Sequence, residues 1–487
     1  RKSTNPWSPR KINVLFRKEP SMVLGHGIID YIVVVVSLAA TAYTLAFRPQ
    51  ALLLLLPTFV TIDFFVPFIS QLTPGRLVPL MILAWWALTG KHPFQPPVQS
   101  WLIGGIAITI ASTAAAMLIG DTGLRPIIRS LNYLNLIALC GFAWQQARDS
   151  VGITKLFQGF AIAGCIHGGH ACYQLVANRV GLPYRGIVYS ASGGAGSGVV
   201  HGGGFRINGF ADEPKRLGMI LIASAVALIY LASQERLQNR KIAMQVAAVT
   251  ILGVSLLTYS TSYLAAIILW GASLTLISSK SWRYSIAAMI VGFGGYLAMS
   301  ERIDSLASTQ WELLEAREEE MEKRIGAKRV YRQDFFAEDY LNRNPSAWIT
   351  GVGMGRYYSV FRREYGSVAG IGPYNNLLPL NSQLLETCLD ATIFGCLLVY
   401  AGSLLVFRRL LRGPQMAFML AAIILFQMIQ SLFVQSFPLL VLAVGAGAAG
   451  IAYGWRPPES SRRYASAVSP NTFTNLVFGS GSAHPRS

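Results

Sequence analysis

The sequence predicts an all-α polytopic membrane protein with about 12–14 transmembrane helices. Of its 487 residues, 53% are hydrophobic and only 13% are charged, whereas about a quarter are charged in a typical soluble protein. The mean hydropathy is +0.43. Several apolar stretches reach or approach the ~20 residues that a helix needs to cross a bilayer. These observations exclude a soluble enzyme, a DNA-binding protein and a secreted disulfide scaffold.

Hydropathy divides the chain into thirteen candidate membrane helices. They cover residues 27–47, 50–68, 76–90, 100–119, 131–147, 157–177, 217–234, 242–259, 262–279, 284–300, 382–407, 415–433 and 435–454. Pro57, Pro67 and Pro79 interrupt two of the early segments. Because proline disturbs a helix interior, the expected number stays between about 12 and 14.

Lysine and arginine residues set the expected orientation. The short basic segments are 236–241, 280–283, 408–412 and the tail 456–463. Such segments stay in the cytoplasm, so the loops 179–216 and 301–381 are expected together on the outer face. The tail 1–25 is also basic and is expected in the cytoplasm. Thirteen crossings cannot leave both ends on one side, so one segment between 27 and 147 is expected to be re-entrant or miscounted.

The chain is therefore predicted to have seven parts. These are a cytoplasmic N-terminal tail (1–25), an N-terminal transmembrane bundle (26–178), a Gly-rich outer loop (179–216), central transmembrane helices (217–300), a large charged outer loop (301–381), C-terminal transmembrane helices (382–455) and a disordered cytoplasmic tail (456–487).

The net charge of +18 is assigned to contact with lipid headgroups, not nucleic acid. The five cysteines lack a Cys-x-x-Cys pair, so no disulfide framework, metal site or cofactor is predicted. Residues 1–22 are polar and are not expected to act as a cleavable signal peptide.

The first outer loop is rich in glycine and ends in charged residues next to a predicted membrane helix. Glu213 and the proline after it also fit a helix start, so a structural and a functional reading stay open for this acid. Arg206 and Arg216 flank the acid. Arg206 has no such helix role and is favoured as a functional residue. His201 is a candidate base, with a surface histidine as the alternative.

The second outer loop holds 12 of the 23 acidic residues in its segment 301–364. After the run of glutamates at 318–320 come Arg329, Arg332 and Arg363, with a Gly-x-Gly-x-Gly bend centred on Gly353. The bend follows no predicted strand, so a dinucleotide site is not expected. The simpler interpretation is that the bend lets backbone amides approach an anion or a sugar. Guanidinium groups match phosphate oxygens. The obvious anionic partner at the membrane boundary is a lipid pyrophosphate.

Polar residues inside or beside the apolar segments have two interpretations each. His167 and His170 share one face of a helix and suit either metal or proton chemistry, or a packed, hydrogen-bonded pair. Packing is the favoured interpretation. Asn381 and Ser382 precede a helix and are good N-cap residues, which alone explains their presence.

Four stretches together carry a family resemblance. They are RINGFADEPKRLG (206–218), LLTYSTSYLAAIIL (256–269), RQDFFAEDYLNRNPSAWITGVGMG (332–355) and NSQLLETCLDATIFG (381–395). In this order they resemble the superfamily of O-antigen ligases and Wzy O-antigen polymerases, which are bacterial membrane glycosyltransferases. The resemblance implies a GT-C-like fold with two periplasmic loops in the inner membrane. It also implies an inverting, metal-independent, cofactor-free transfer between undecaprenyl-pyrophosphate-linked glycans.

The resemblance also implies roles for individual residues. The catalytic candidates are Arg206, Arg332, Glu213 and Asn381, and the candidates for binding pyrophosphate or glycan are Arg216, Arg329, Arg363, Gly353 and His201. His201, Glu213 and Asp339 are candidate bases. Ligases of the superfamily typically carry a histidine where this chain has Asn381. Asparagine cannot act as a general base near neutral pH, so a polymerase is favoured over a ligase.

The expected partners are the lipid-linked donor and acceptor oligosaccharides, the bilayer and a chain-length regulator, but no nucleic acid. A transporter or flippase for lipid-linked or anionic solutes is the alternative from another class. Transporters often show internal repeats, and none is evident in this sequence.

Overall fold

A computed structural model shows an all-α membrane protein, as the sequence predicts. The structure describes residues 28–62, 64, 73–95, 98–120, 123–184, 207–211, 214–258, 260–277, 333–365, 380, 382–433 and 437–454. Within these ranges there is no β-strand. Five helices of this described part are long and apolar enough to cross a membrane, namely Ile28–Phe47, Gln99–Ile119, Arg125–Gln146, Pro214–Gln234 and Gln383–Leu410.

The helices follow the predicted apolar segments for most of the chain. They are α1 (Ile28–Phe47), a 3₁₀ turn (Pro49–Ala51), α2 (Leu52–Phe59), α3 (Pro74–Thr89), α4 (Gln99–Ile119), α5 (Arg125–Gln146), α6 (Ser150–Val180), α7 (Pro214–Gln234), α8 (Gln238–Leu256), α9 (Thr261–Ile277), α10 (Gln333–Arg343), α11 (Ser346–Thr350), α12 (Tyr357–Tyr365), α13 (Gln383–Cys396), a π-helical stretch (Leu397–Ala401), α14 (Gly402–Leu410), α15 (Gln415–Ser431) and α16 (Phe437–Tyr453). The predicted segment 284–300 lies outside the described residues.

Two helices extend well beyond their predicted bounds. The predicted segment 131–147 corresponds to α5, which begins earlier, at Arg125. The helix therefore includes Arg125 and Arg129, which the predicted segment left out. The predicted segment 157–177 becomes the 31-residue helix α6, about 46 Å long. Asp149 caps its start, accepting a hydrogen bond from the Gly152 amide at 2.7 Å. Gly181, with a φ of 74°, ends it in the left-handed conformation that glycine adopts without a steric penalty.

Of the predicted crossing 50–68, the structure describes residues 50–62 and 64, and the α-helix within them is α2, which lies against α3. Gln50 donates to Asp149 at the start of α6 at 2.8 Å, and Thr61 lies 3.0 Å from His167 farther along α6. Helix α3 runs in the opposite direction and ends at the level at which α5 ends. At about 1.5 Å per residue, the eight residues of α2 span about 12 Å, well short of a ~30 Å hydrocarbon core.

Helix directions bring the two outer-loop segments to the same end of the bundle. Helix α6 runs away from the end of α5, and α7 returns alongside it, with Ser224 donating to the Phe160 carbonyl at 2.5 Å. Residues 207–211 therefore lie at the end where α5 begins, and α10–α12 pack at that end too. We call it the loop end. Tyr453 lies 5.6 Å from Trp144 between ring centroids, so α16 finishes at the opposite end.

The direction of α1 bears on the predicted termini. It ends beside the start of α6, so it begins toward the loop end. The first and last described helices thus have their outer termini at opposite ends of the bundle, and the cytoplasmic placement of the two tails stays a prediction. The tails themselves, 1–25 and 456–487, lie outside the described residues.

Small residues let the buried helices approach closely. Gly445 of α16 lies against the backbone carbonyl of Cys140 in α5, and Gly164 of α6 lies against Ser224 of α7. A Cβ at either glycine would overlap its neighbour. Close backbone approach at small residues is a main source of helix association in membranes.

Candidate functional site

The candidate site is built around a break in α13. Ser382 caps the helix, its hydroxyl accepting from the Leu385 amide at 3.3 Å. The helix is interrupted at Ala391 and Thr392, where Thr392 has φ 64° and ψ 176°. A β-branched residue with positive φ is a conformational outlier, and Thr392 is the single non-glycine example among the described residues. The surrounding contacts must therefore hold this conformation in place.

The Gly-x-Gly-x-Gly bend contacts the two residues just before the break. The Leu389 carbonyl accepts hydrogen bonds from the amides of Val352 at 2.8 Å and Gly353 at 3.2 Å. The Gly355 amide donates to the Asp390 carboxylate at 2.8 Å. Gly353 and Gly355 have φ values of 96° and 67°, which side chains disfavour. The expected bend is thus present, and the anion that its Gly355 amide contacts is a carboxylate of the protein itself.

Arg129 of α5 joins two buried carboxylates of α13. Its Nε donates to Asp390 Oδ2 at 2.7 Å, and its Nη2 contacts Glu386 Oε1. The carboxylate-bearing side chains are 0% and 1% exposed, and that of Arg129 is 16% exposed. Glu386 and Asp390 are four residues apart and so lie on one helix face. One arginine faces two carboxylates here, which is an unusual arrangement at the edge of a membrane segment.

One tyrosine belongs to this group. Tyr357 of α12 donates its hydroxyl to Glu386 Oε1 at 2.7 Å. Burial raises the pKa of Tyr357 well above its ordinary value, so the hydroxyl keeps its proton and remains a donor. Gln383 adds a second donor to Glu386 at 3.2 Å. We call Arg129, Glu386, Asp390, Tyr357 and Gly355 the Arg129 cluster.

An apolar groove begins directly beside the cluster. It runs between α4, α5 and the segment after the break, and Tyr133 contacts both the groove and Asp390. Its other lining residues include Ile108, Ile137, Ala391, Gly395 and Leu398. Trp101 fixes the π-helical stretch along it by donating to the Leu398 carbonyl at 2.7 Å. A polar group at one end of an apolar groove is an arrangement that suits an amphipathic ligand.

The end of the first outer loop docks on α6. The Gln174 side chain donates to Asn208 Oδ1 at 2.8 Å and accepts from the Gly209 amide at 3.0 Å. The Phe210 ring stacks on His170 with centroids 3.8 Å apart. His167 lies within hydrogen-bond distance of Thr61, as described above. Both histidines are thus packed, which is the interpretation favoured from the sequence.

Most predicted site residues lie outside the described residues. These are Arg206, Arg332, Glu213, Asn381, Arg329 and His201. Arg216 lies in the first turn of α7, which begins at Pro214 as expected. Arg363 lies in the last turn of α12, is 66% exposed and has its Nε 3.7 Å from Glu364 Oε1. Asp339 forms an ion pair with Arg343 at 2.8 Å.

Among the predicted site residues that the structure describes, Gly353 is the one that lies at the Arg129 cluster. Its amide is engaged by the Leu389 carbonyl, and a Cβ there would lie 3.3 Å from Ala116 of α4. The expected approach of this backbone to an outside ligand therefore stays a prediction.

Sequence reasoning did not single out Arg129, Glu386, Asp390 or Tyr357. A signal was available for the two acids, because ionisable residues inside an apolar segment are functional candidates by default. Arg129 was not considered because the predicted helix 131–147 starts after it. Tyr357 carries no pattern of its own.

No group of three or more histidine, cysteine or acidic side chains that could hold a metal ion occurs in the part of the chain that the structure describes. No protein-family model matches the chain, and no curated protein matches it.

Proposed function

We propose that this protein is a Wzy-like polysaccharide polymerase of the bacterial inner membrane. In this function it transfers a glycan from undecaprenyl pyrophosphate to a lipid-linked acceptor glycan at the periplasmic face. The proposal includes the GT-C-like fold of about 12–14 crossings with two periplasmic loops. The observation that carries it is the Arg129 cluster, where the loop stretch 351–355 meets a broken membrane helix beside an apolar groove.

The distribution of charge supports the orientation. Short connections at the end opposite the loop end carry Arg236, Arg240, Lys241, Arg408, Arg409 and Arg412. The positive-inside rule assigns such connections to the cytoplasm. The loop end then faces the periplasm, where lipid-linked repeat units are polymerised in the superfamily that this sequence resembles.

The proposed transfer reaction requires positive charge near the leaving group. As the anomeric bond breaks, negative charge develops on the lipid pyrophosphate, and preorganised arginines stabilise it. Arg206 and Arg332 take this role in the proposal, with Arg216, Arg329 and Arg363 as further binding residues. The Arg129 cluster positions the loop through Asp390 and Gly355, while the groove accommodates part of the lipid chain.

Turnover by purified protein tests the proposal. The protein is placed in lipid with a chelator and undecaprenyl-pyrophosphate-linked repeat units extracted from the source organism, and the products are separated on a gel. We expect a ladder that is lost in Arg206→Ala and Arg332→Ala and kept in the control Arg408→Ala, which changes the opposite end. No ladder with intact substrate would contradict polymerisation. A lipid A acceptor added to the same mixture then tests the ligase alternative.

One observation favours a transporter as the second candidate function. Transporters bind solutes at discontinuous membrane helices that carry ionisable residues, and α13 has both features. Proteoliposomes loaded with the lipid-linked repeat unit distinguish the two functions. Transbilayer movement without a change in glycan length would support transport, whereas elongation without movement would support the polymerase.

A further inference from the structure

Two cysteines flank the break in α13. Cys388 lies before it and Cys396 after it, with their Sγ atoms 3.0 Å apart. In a continuous α-helix, residues eight positions apart are separated by about 12 Å along the axis. The non-helical conformation of Ala391 and Thr392 is what brings the sulfurs together. Both side chains are buried, and both cysteines are free thiols in this structure.

We propose that Cys388 and Cys396 are a redox modification site that forms an intrachain disulfide with a small, membrane-soluble disulfide as oxidant. An S–S bond is about 2.05 Å long, so the sulfurs need to approach by only about 1 Å. This pairing was not expected from the sequence, because the spacing is not Cys-x-x-Cys and a straight helix would keep the thiols apart.

The chemistry is ordinary thiol–disulfide exchange. One cysteine, as its thiolate, attacks a sulfur of the oxidant, which forms a mixed disulfide and releases one thiol. The second cysteine then attacks the protein sulfur of that mixed disulfide and releases the second thiol. The protein loses two S–H hydrogens and gains one S–S bond, while the oxidant is reduced to two thiols.

In this proposal the oxidant approaches through the groove, which comes close to Cys396. Ala391 and Gly395 line it, and Gly395 immediately precedes Cys396. The product would lock the break, because a straight helix cannot contain the cross-link. The break is also what exposes the Leu389 carbonyl to the Val352 amide, so the disulfide fixes the conformation on which the Arg129 cluster depends.

The other three cysteines offer internal controls. Cys140 is buried in α5 and lines the groove, Cys165 of α6 is exposed, and Cys172 of α6 is half-buried. Cys165 reports whether a reagent reaches the surface of the bundle, and Cys140 reports whether burial in the groove alone is enough for oxidation.

The test uses the purified full chain treated with dithiodipyridine, a neutral disulfide. The protein is then denatured, remaining thiols are alkylated with N-ethylmaleimide, and peptides are analysed by mass spectrometry with and without reductant. We expect the peptide containing Cys388 and Cys396 to lose two hydrogens and to escape alkylation, so that two of the five thiols are lost as a cross-link. Reductant should restore both.

Matched variants make the result decisive. In Cys388→Ala the cross-link should be absent, whereas in Cys140→Ser it should form as in the parent. Monodisperse elution in detergent shows that each variant is folded. The proposal is overturned if Cys165 reacts with the oxidant while Cys388 and Cys396 are both recovered as alkylated thiols, or if the cross-link joins a different pair. Either outcome is independent of whether the protein transfers glycan.

Discussion

Replacing Arg129 by methionine removes the positive charge that lies between two buried carboxylates. The formal charge of the three groups changes from −1 to −2, with Glu386 1% and Asp390 0% exposed. Removing one partner of a buried ion pair costs about 3–5 kcal/mol. Because Arg129 is 16% exposed, water screens part of this interaction, and we expect a loss of about 3 kcal/mol in the free energy of unfolding.

The matched variant is Glu386→Gln, because glutamine has nearly the same shape as glutamate. In this variant Arg129 pairs with Asp390, and the formal charge of the two groups together is zero. The glutamine can still accept from Tyr357, so we expect a loss of only about 1 kcal/mol. Unfolding in mixed micelles with increasing dodecyl sulfate, followed by tryptophan fluorescence, measures both variants. Equal losses, or a smaller loss for Arg129→Met, would show that Arg129 does not neutralise the carboxylates.

The same unfolding measurement tests two further hydrogen bonds. Tyr357→Phe removes the 2.7 Å hydrogen bond to the Glu386 carboxylate and should cost about 1.5–3 kcal/mol, since hydrogen bonds to charged groups are stronger than neutral ones; an unchanged midpoint would contradict this contact. Gln174→Leu leaves the buried amide of Gly209 without its acceptor and should cost about 1–3 kcal/mol, with faster proteolysis of the adjoining loop. The exposed Gln234→Leu is its control and should change stability by less than about 0.5 kcal/mol.

Much of the fold could be predicted from the sequence, because bilayer thickness and apolar runs constrain helices strongly. The predicted segments 27–47 and 217–234 lie within a few residues of α1 and α7. The segment 50–68 was predicted as a crossing from its hydropathy alone, yet its helix ends at Phe59. Hydropathy does not distinguish a short helix that is packed among other helices from a membrane crossing, because both are apolar.

The candidate site was less accessible to sequence reasoning. The acids Glu386 and Asp390 were visible inside an apolar segment, but the partner of both, Arg129, lies far away in the chain. Neither glycine nor proline stands at the break at Thr392, whose φ is positive, and the loop stretch 351–355 bonds to Leu389 just before it. Such conformations follow from tertiary structure and not from local preference.

The pairing of Arg129 with the acids of α13 has a consequence for biogenesis. An isolated charged side chain costs about 2.5–3.5 kcal/mol at the centre of an inserting helix and less near its end, and α13 carries two acids in its first two turns. Asp390 is made 261 residues after Arg129, so α5 is already in the membrane when α13 leaves the ribosome. The order of the chain therefore provides Arg129 before the two acids with which it pairs are synthesised.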